Sequence, residues 1–210
     1  MDPRINWMMK YVNGKSVLDL GCVRHSIEET EKPGWIHGEI RKVAQRIVGV
    51  DYLEKPVLQL RQKGYEVICA DVEEMQLNER FDTIVAGDLI EHLNNFGKFI
   101  ERVKEHLNPD GVFALTTPNP INPLRFFSVL LRGEAGANSE HTCWFTEQVI
   151  RQLFDRYDFD VIDVHYIDDS YQYYRSWKWM PFFPINYILV KLRPKFAETL
   201  CVAFRLKNKE

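Results

Sequence analysis

Four short apolar runs in the first half of this chain each finish on an aspartate, and nothing else in it constrains the fold as tightly. The runs are Val17 to Cys22, Ile47 to Val50, Glu66 to Ala70 and Phe81 to Ala86, with Asp19, Asp51, Asp71 and Asp88 at their ends. Apolar runs of this length, bounded by turn residues, are what parallel strands look like when helices cover both faces of their sheet. Helical patterns fall between and after them. Trp35, Ile36, Ile40, Val43 and Ala44 share a face, and Pro56 to Lys63 has proline in its first turn and Gly64 at its end. Phe96, Phe99, Ile100, Val103 and Leu107 line another helix, which Asn108-Pro109-Asp110-Gly111 stops. Strand and helix in alternation call for right-handed crossovers and a parallel sheet. Val112 to Thr116 supplies a fifth strand, Thr146 caps a later helix, and Phe159 to Tyr166 and Thr199 to Leu206 alternate as two final strands.

A chain of 210 residues suits one substantial domain, and no stretch of it marks a boundary. Two segments, about 119–142 and 168–195, stand outside the alternation and read as insertions on the substrate side. The net charge of −3 gives no support to nucleic-acid binding, which needs a basic face. Cys22, Cys69, Cys143 and Cys201 are widely spaced, and three of them lie in apolar runs, so buried reduced thiols are expected. The first ten residues lack the apolar core of a signal peptide, and no segment is long enough to span a bilayer. A cytoplasmic protein is the expectation.

An acidic residue after the second strand holds ribose hydroxyls in nucleotide-binding α/β folds, accepting two hydrogen bonds at once. Each aspartate alone reads equally as a cap or a turn residue. Four at one sheet edge point to a nucleoside cofactor. A dinucleotide needs GxGxxG, so that its pyrophosphate meets a helix N-terminus. Here Gly21 is followed by Cys22, Val23, Arg24 and His25, and the gap from Asp19 to Asp51 is long. Both features disfavour NAD and favour a cofactor without phosphate.

VLDLGC, VGVD, ADVE, FDTIVAGDLIEHL, LNPDGVFALTTPN and EHTCWFT together resemble the class I S-adenosylmethionine-dependent methyltransferases. The likeness runs from about Trp7 to Tyr166 and is nearest to small bacterial and archaeal members related to ubiquinone-type O-methyltransferases and to enzymes found with glycan biosynthesis. It implies a Rossmann-like, doubly wound, seven-stranded sheet, mostly parallel with the last strand antiparallel, and helices on both faces. It also implies S-adenosylmethionine as cofactor. Asp19 and Gly21 would line its methionine moiety, Cys22 would also contact the cofactor, Asp51 would hold the ribose, and Tyr52 and Leu53 would flank the adenine. Asp71 and Val72 would meet the amino edge, while Ala86, Gly87 and Asp88 would pass beneath the sulfonium. The family usually carries GxGxG in the first loop, so the path from Val23 to Gly34 differs here, and His25 and His37 belong either to that path or to surface and capping roles.

Methyl transfer to a hydroxyl needs an aligned acceptor and a base for its proton. His92, just after the fourth strand, and His141, before Trp144, are the two candidates, each against a packing role. Asp88, Glu91 and His92 offer hard ligands to a divalent ion, as in some ubiquinone-type members. Cofactor contact, capping and packing account for them equally, and no metal is assigned. Arg125 and Arg132 either meet an acidic group or are solvated. The aromatics Tyr171, Tyr173, Tyr174, Trp177, Trp179, Phe182, Phe183 and Tyr187 beside Lys178, Lys191, Arg193 and Lys195 suit a sheet cover, a lid, a dimer face or peripheral membrane contact. The expected activity is methylation, at oxygen, of a small-molecule or saccharide-containing acceptor by a monomer or homodimer. The alternatives are a catalytically silent scaffold, which the altered first loop favours, and an NAD-dependent oxidoreductase.

Overall fold

The computed structural model describes residues 2–136, 138–170 and 177–208. Seven strands form one sheet: β1 (Ser16–Leu20), β2 (Arg46–Asp51), β3 (Val67–Cys69), β4 (Phe81–Gly87), β5 (Leu107–Pro118), β6 (Phe159–Ile167) and β7 (Thr199–Leu206). Their order is β3-β2-β1-β4-β5-β7-β6. The first five are parallel, and β7 runs antiparallel between β5 and β6. The doubly wound, seven-stranded arrangement expected from the resemblance is therefore present.

The eight helices are α1 (Pro3–Val12), α2 (Ile27–Thr30), α3 (Ile36–Ile40), α4 (Glu54–Gln62), α5 (Phe96–His106), α6 (Pro123–Arg132), α7 (Glu147–Asp155) and α8 (Phe183–Leu192), counted among the described residues. One sheet face carries α5 and α7, with Phe99, Phe113, Phe154 and Phe204 in a fully buried core. Trp7, Met8 and Val12 of α1 and Ile40 of α3 cover the other face. Each layer buries one stripe of its helix, as a sheet with two covered faces demands.

Several boundaries differ from the expected ones. The helix expected around residues 35–44 contracts to α3, which has Gly38 at its centre, a residue of low helix propensity. The strand expected from Glu66 to Ala70 shortens to β3, the sheet's edge. There Cys69 is exposed, contrary to the expectation of burial, while Cys22 and Cys201 are buried and all four cysteines are free thiols. Asn108 to Gly111 does not separate α5 from a strand beginning at Val112. Leu107 already pairs with Phe81, and the register shift before Thr83↔Val112 absorbs the turn residues inside β5. Tyr171, Tyr173 and Tyr174 lie outside the described residues.

Strand order reverses between β1 and β4, and a crevice opens at their carboxyl ends, the point where open α/β sheets take ligands.

Candidate active site

The crevice is a cleft of about 1060 Å³ along the strand ends. Gly21 leaves β1 at φ +72°, in the left-handed region that glycine enters at little cost, and its N–H donates to the Val50 carbonyl at 2.8 Å. The first loop then bends over β2, and the Val23 N–H donates to Asp51 Oδ2 at 2.8 Å. The Leu53 N–H donates to Asp51 Oδ1 at 3.0 Å. Each carboxylate oxygen thus accepts one backbone bond and keeps further lone pairs for a ligand. Burial raises the Asp51 pKa against the opposing pull of the Leu53 and Val23 amides.

Asp19 is buried, and its Oδ2 lies 3.0 Å from His37 Nδ1. His37 is therefore neither a surface residue nor a cap. It is fully buried beside Trp35 and Tyr65, and Trp35 Nε1 donates to the Cys22 carbonyl at 2.7 Å. His25 takes φ +60° on the cleft wall. Burial pushes the Cys22 thiol up, with Asp19 and Asp51 adding to the shift, so this sulfur is a packing group and not a nucleophile. Asp71 Oδ1 accepts from the Glu73 N–H at 2.9 Å at the other end of the cleft, next to buried Val72 and exposed Tyr52.

Of the eleven residues expected to touch a cofactor, ten line the cleft. The exception is Ala86, which is fully buried between Leu20 and Leu115 of the neighbouring strands. Asp88, at φ +49°, turns its carboxylate to Thr116 Oγ1 at 2.8 Å and to the guanidinium of Arg4 on α1. It therefore does not join Glu91 and His92. Those two meet His141 instead, with the donor atoms of the three side chains within 4.8 Å of one another.

A second strap makes that meeting possible. Thr142 donates from its N–H to the Glu91 carbonyl at 2.8 Å and from Oγ1 to the Leu93 carbonyl at 2.7 Å, which sets the His141 ring 4.7 Å from that of His92. Burial, then His92 and Arg125, lower the His141 pKa, so its ring is neutral near pH 7. Glu91 is fully buried. Its Oε2 accepts from Thr117 Oγ1 at 3.0 Å, while its Oε1 has no hydrogen-bond partner. Burial, reinforced by Asp88, raises its pKa well above the ordinary carboxylate value, against the pull of the Thr117 hydrogen bond. Arg125 is not solvated; it pairs with buried Glu198, whose pKa burial pushes up to about 8.

A family model described as the methyltransferase domain matches residues 9–164 of this chain. The chain belongs to that family. Among proteins of known role, this methyltransferase is similar to (S)-coclaurine N-methyltransferase of Papaver somniferum, with 30% identity over 100 residues, 48% of this chain and 28% of that protein. It is also similar to the ubiquinone biosynthesis O-methyltransferase of Bradyrhizobium sp. (strain ORS 278), with 28% identity over 51% of this chain and 42% of that protein. The alignments therefore span less than half of either relative's length. Among solved structures, a SAM dependent methyltransferase from Archaeoglobus fulgidus superposes with TM-score 0.66 at 13% identity, covering 96% of this chain and 91% of that one. The 1,6-didemethyltoxoflavin-N1-methyltransferase of Burkholderia thailandensis, solved with S-adenosylhomocysteine, reaches 0.63 at 17% identity, covering 99% and 78%. At these identities the structures speak for the fold. With the family decided, the NAD-dependent reading falls away and S-adenosylmethionine is the cofactor.

The methyltransferase cleft fits that cofactor. A Cβ on Gly21 would stand 3.0 Å from Leu89 at a φ of +72° that side chains rarely adopt, so this bend calls for glycine, and Asp51 retains acceptor capacity for two hydroxyls. Sequence reasoning missed Arg4 and Glu198. Arg4 lies 84 positions from its partner Asp88, and Glu198 lies 73 positions from Arg125; no local pattern marks such pairs.

Proposed function

We propose that this methyltransferase methylates a hydroxyl oxygen of a small-molecule or saccharide-containing acceptor. The observation that carries this reading is the Glu91, His92 and His141 cluster on the cleft wall, beside the strand ends. Bound S-adenosylmethionine supplies a methyl group on a sulfonium centre, so the chain's work is alignment and proton handling.

In this reading Asp51 binds the ribose hydroxyls, Tyr52 and Leu53 flank the adenine, and Asp71 and Val72 face its amino edge. Asp19, Gly21 and Cys22 form the wall for the amino-acid end, with His37 holding Asp19 in place. Gly87 and Asp88 lie beneath the reacting end, and Ala86 only backs them. His141 is neutral because it is half-buried, and it accepts the hydroxyl proton while His92 steadies its ring. Glu91, protonated, offers a hydrogen bond from Oε1 to the acceptor. Arg125 and Arg132, on the same wall, bound the acceptor space.

The experiment is transfer of labelled methyl from S-adenosylmethionine to a panel of saccharides, lipid-linked glycans, phenols and amines. The reading expects product with hydroxyl acceptors and a loss of roughly a hundredfold or more in His141→Gln, the usual worth of a positioned base. Product with amines alone would shift the site to nitrogen. Full activity in His141→Gln would remove the base role.

A further inference from the structure

Helix α8 is inside out. Its one fully buried side chain is polar Asn186, whose amide donates to Ser170 Oγ at 3.2 Å and Asp168 Oδ2 at 3.3 Å. Ile188 and Leu192, by contrast, are 56% and 67% exposed. Helix α6 buries Leu124 and polar Ser128, yet leaves Phe126 and Leu130 65% and 67% exposed. A helix folded for water hides its apolar stripe and shows its polar one. The two helices are neighbours, with Phe127 and Phe182 in ring contact at 4.7 Å, and the 3-10 turn leading into α8 adds exposed Trp177 and Met180. Contiguous apolar exposure of this kind marks an interaction surface.

Charge selects the partner. From Ile121 to Gly133 and from Trp177 to Ala197 the sequence holds no acidic residue and six basic ones, in a chain whose net charge is −3. Arg125 and Lys195 are paired with Glu198 and Glu147, whereas Lys178, Lys191 and Arg193 have no ion pair among the described residues. A second copy of the chain would set these cations against their own like across a twofold axis. A layer of lipid phosphates over acyl chains accepts both the cations and the apolar side chains.

We propose that α6, α8 and the turn before α8 dock this protein on a bilayer that carries anionic lipids. The same surface borders the cleft: exposed Arg132 lies 5.0 Å from the ring of buried Trp179, and both line the cleft wall. Docking therefore opens the cleft toward the headgroup layer, and an acceptor with a lipid anchor reaches it without leaving the membrane. The docking itself does not depend on the proposed methyl transfer.

Co-sedimentation of the full chain with vesicles tests it. Phosphatidylcholine alone is compared with an equal mixture of phosphatidylcholine and phosphatidylglycerol. The protein is expected to pellet with the mixed vesicles, to pellet poorly with phosphatidylcholine, and to be released by salt. The Leu130→Glu/Ile188→Glu variant changes two exposed positions, and it is expected to lower the partition coefficient roughly tenfold or more. It should still bind S-adenosylhomocysteine, which shows that it is folded. The Lys178→Glu/Lys191→Glu/Arg193→Glu variant should lose the preference for phosphatidylglycerol. Failure of the parent protein to pellet, or equal pelleting of the first variant, would overturn the proposal. So would a dimer in sedimentation velocity that the first variant abolishes, because the surface would then belong to a second copy.

Discussion

Asp51 shows what one residue does in this site. Its two oxygens tie the first loop and the β2 exit together through Val23 and Leu53, and the same oxygens face the cleft. Asp51→Ala should therefore weaken S-adenosylhomocysteine binding by about 1–3 kcal/mol, the cost of leaving polar partners unmatched. Calorimetric titration of the folded variant checks this, and unchanged affinity would refute the ribose role. His141 makes a pH prediction. Its pKa is lowered, chiefly by burial, so the ring can take a proton at any pH above a value lying below the ordinary 6.5. The acidic limb of the kcat/KM profile should fall as pH drops through that lower value, and His141→Gln should abolish this limb. Residue-level legibility was uneven for a physical reason. Asp19, Asp51, Asp71 and Asp88 follow strand runs and could be read in line, whereas His37 reveals its role only through Asp19, 18 positions away, and Arg4 through Asp88.

Elements carry the site through two close fits. Gly49 of β2 leaves the space in which Cys22, His37 and Val67 meet: an added Cβ would stand 2.6 Å from the Cys22 sulfur and 2.9 Å from each of the other two. These atoms belong to packed, buried groups. Gly49→Ala is expected to cost about 1–3 kcal/mol of stability by overpacking. It should also weaken S-adenosylhomocysteine binding, because the first loop and the Asp19–His37 pair shift together. Urea unfolding and calorimetry on one preparation test both halves, and an Ala variant as stable as the parent would show that the loop gives way freely. The second fit is the Thr142 strap. Thr142→Val removes the hydroxyl donor that the Leu93 and Glu91 carbonyls share and should cost about 1 kcal/mol. Its effect on turnover should exceed its effect on melting, since it frees His141 from His92. Strands were legible because each is a short apolar run between turn residues. Helix α3 was overread because apolar spacing continues through Val43 and Ala44 after the helix has ended at Ile40. The strap could not be read at all, since Thr142 and Glu91 are far apart in sequence.

At the scale of the whole molecule, the reversal of strand order between β1 and β4 decides where everything else gathers. Parallel strands deliver Asp19, Asp51, Asp71 and Asp88 to one edge, and the crossovers bring the Glu91 turn and the Thr142 strap to the same edge. The architecture followed from the alternation of runs, and the antiparallel β7 came from family likeness alone, since no periodicity in Thr199 to Leu206 gives a strand its direction. The cleft wall beyond the strand ends was the least legible part, because side chains of the 119–142 segment and Glu198 that only the fold brings together line it. The central claim is that this edge holds S-adenosylmethionine without a pyrophosphate cradle. Calorimetric titration of the full chain with S-adenosylmethionine, S-adenosylhomocysteine and NAD tests it most directly. The account predicts one-to-one binding of the first two and none of the third; binding of NAD, or of none of the three, would contradict it.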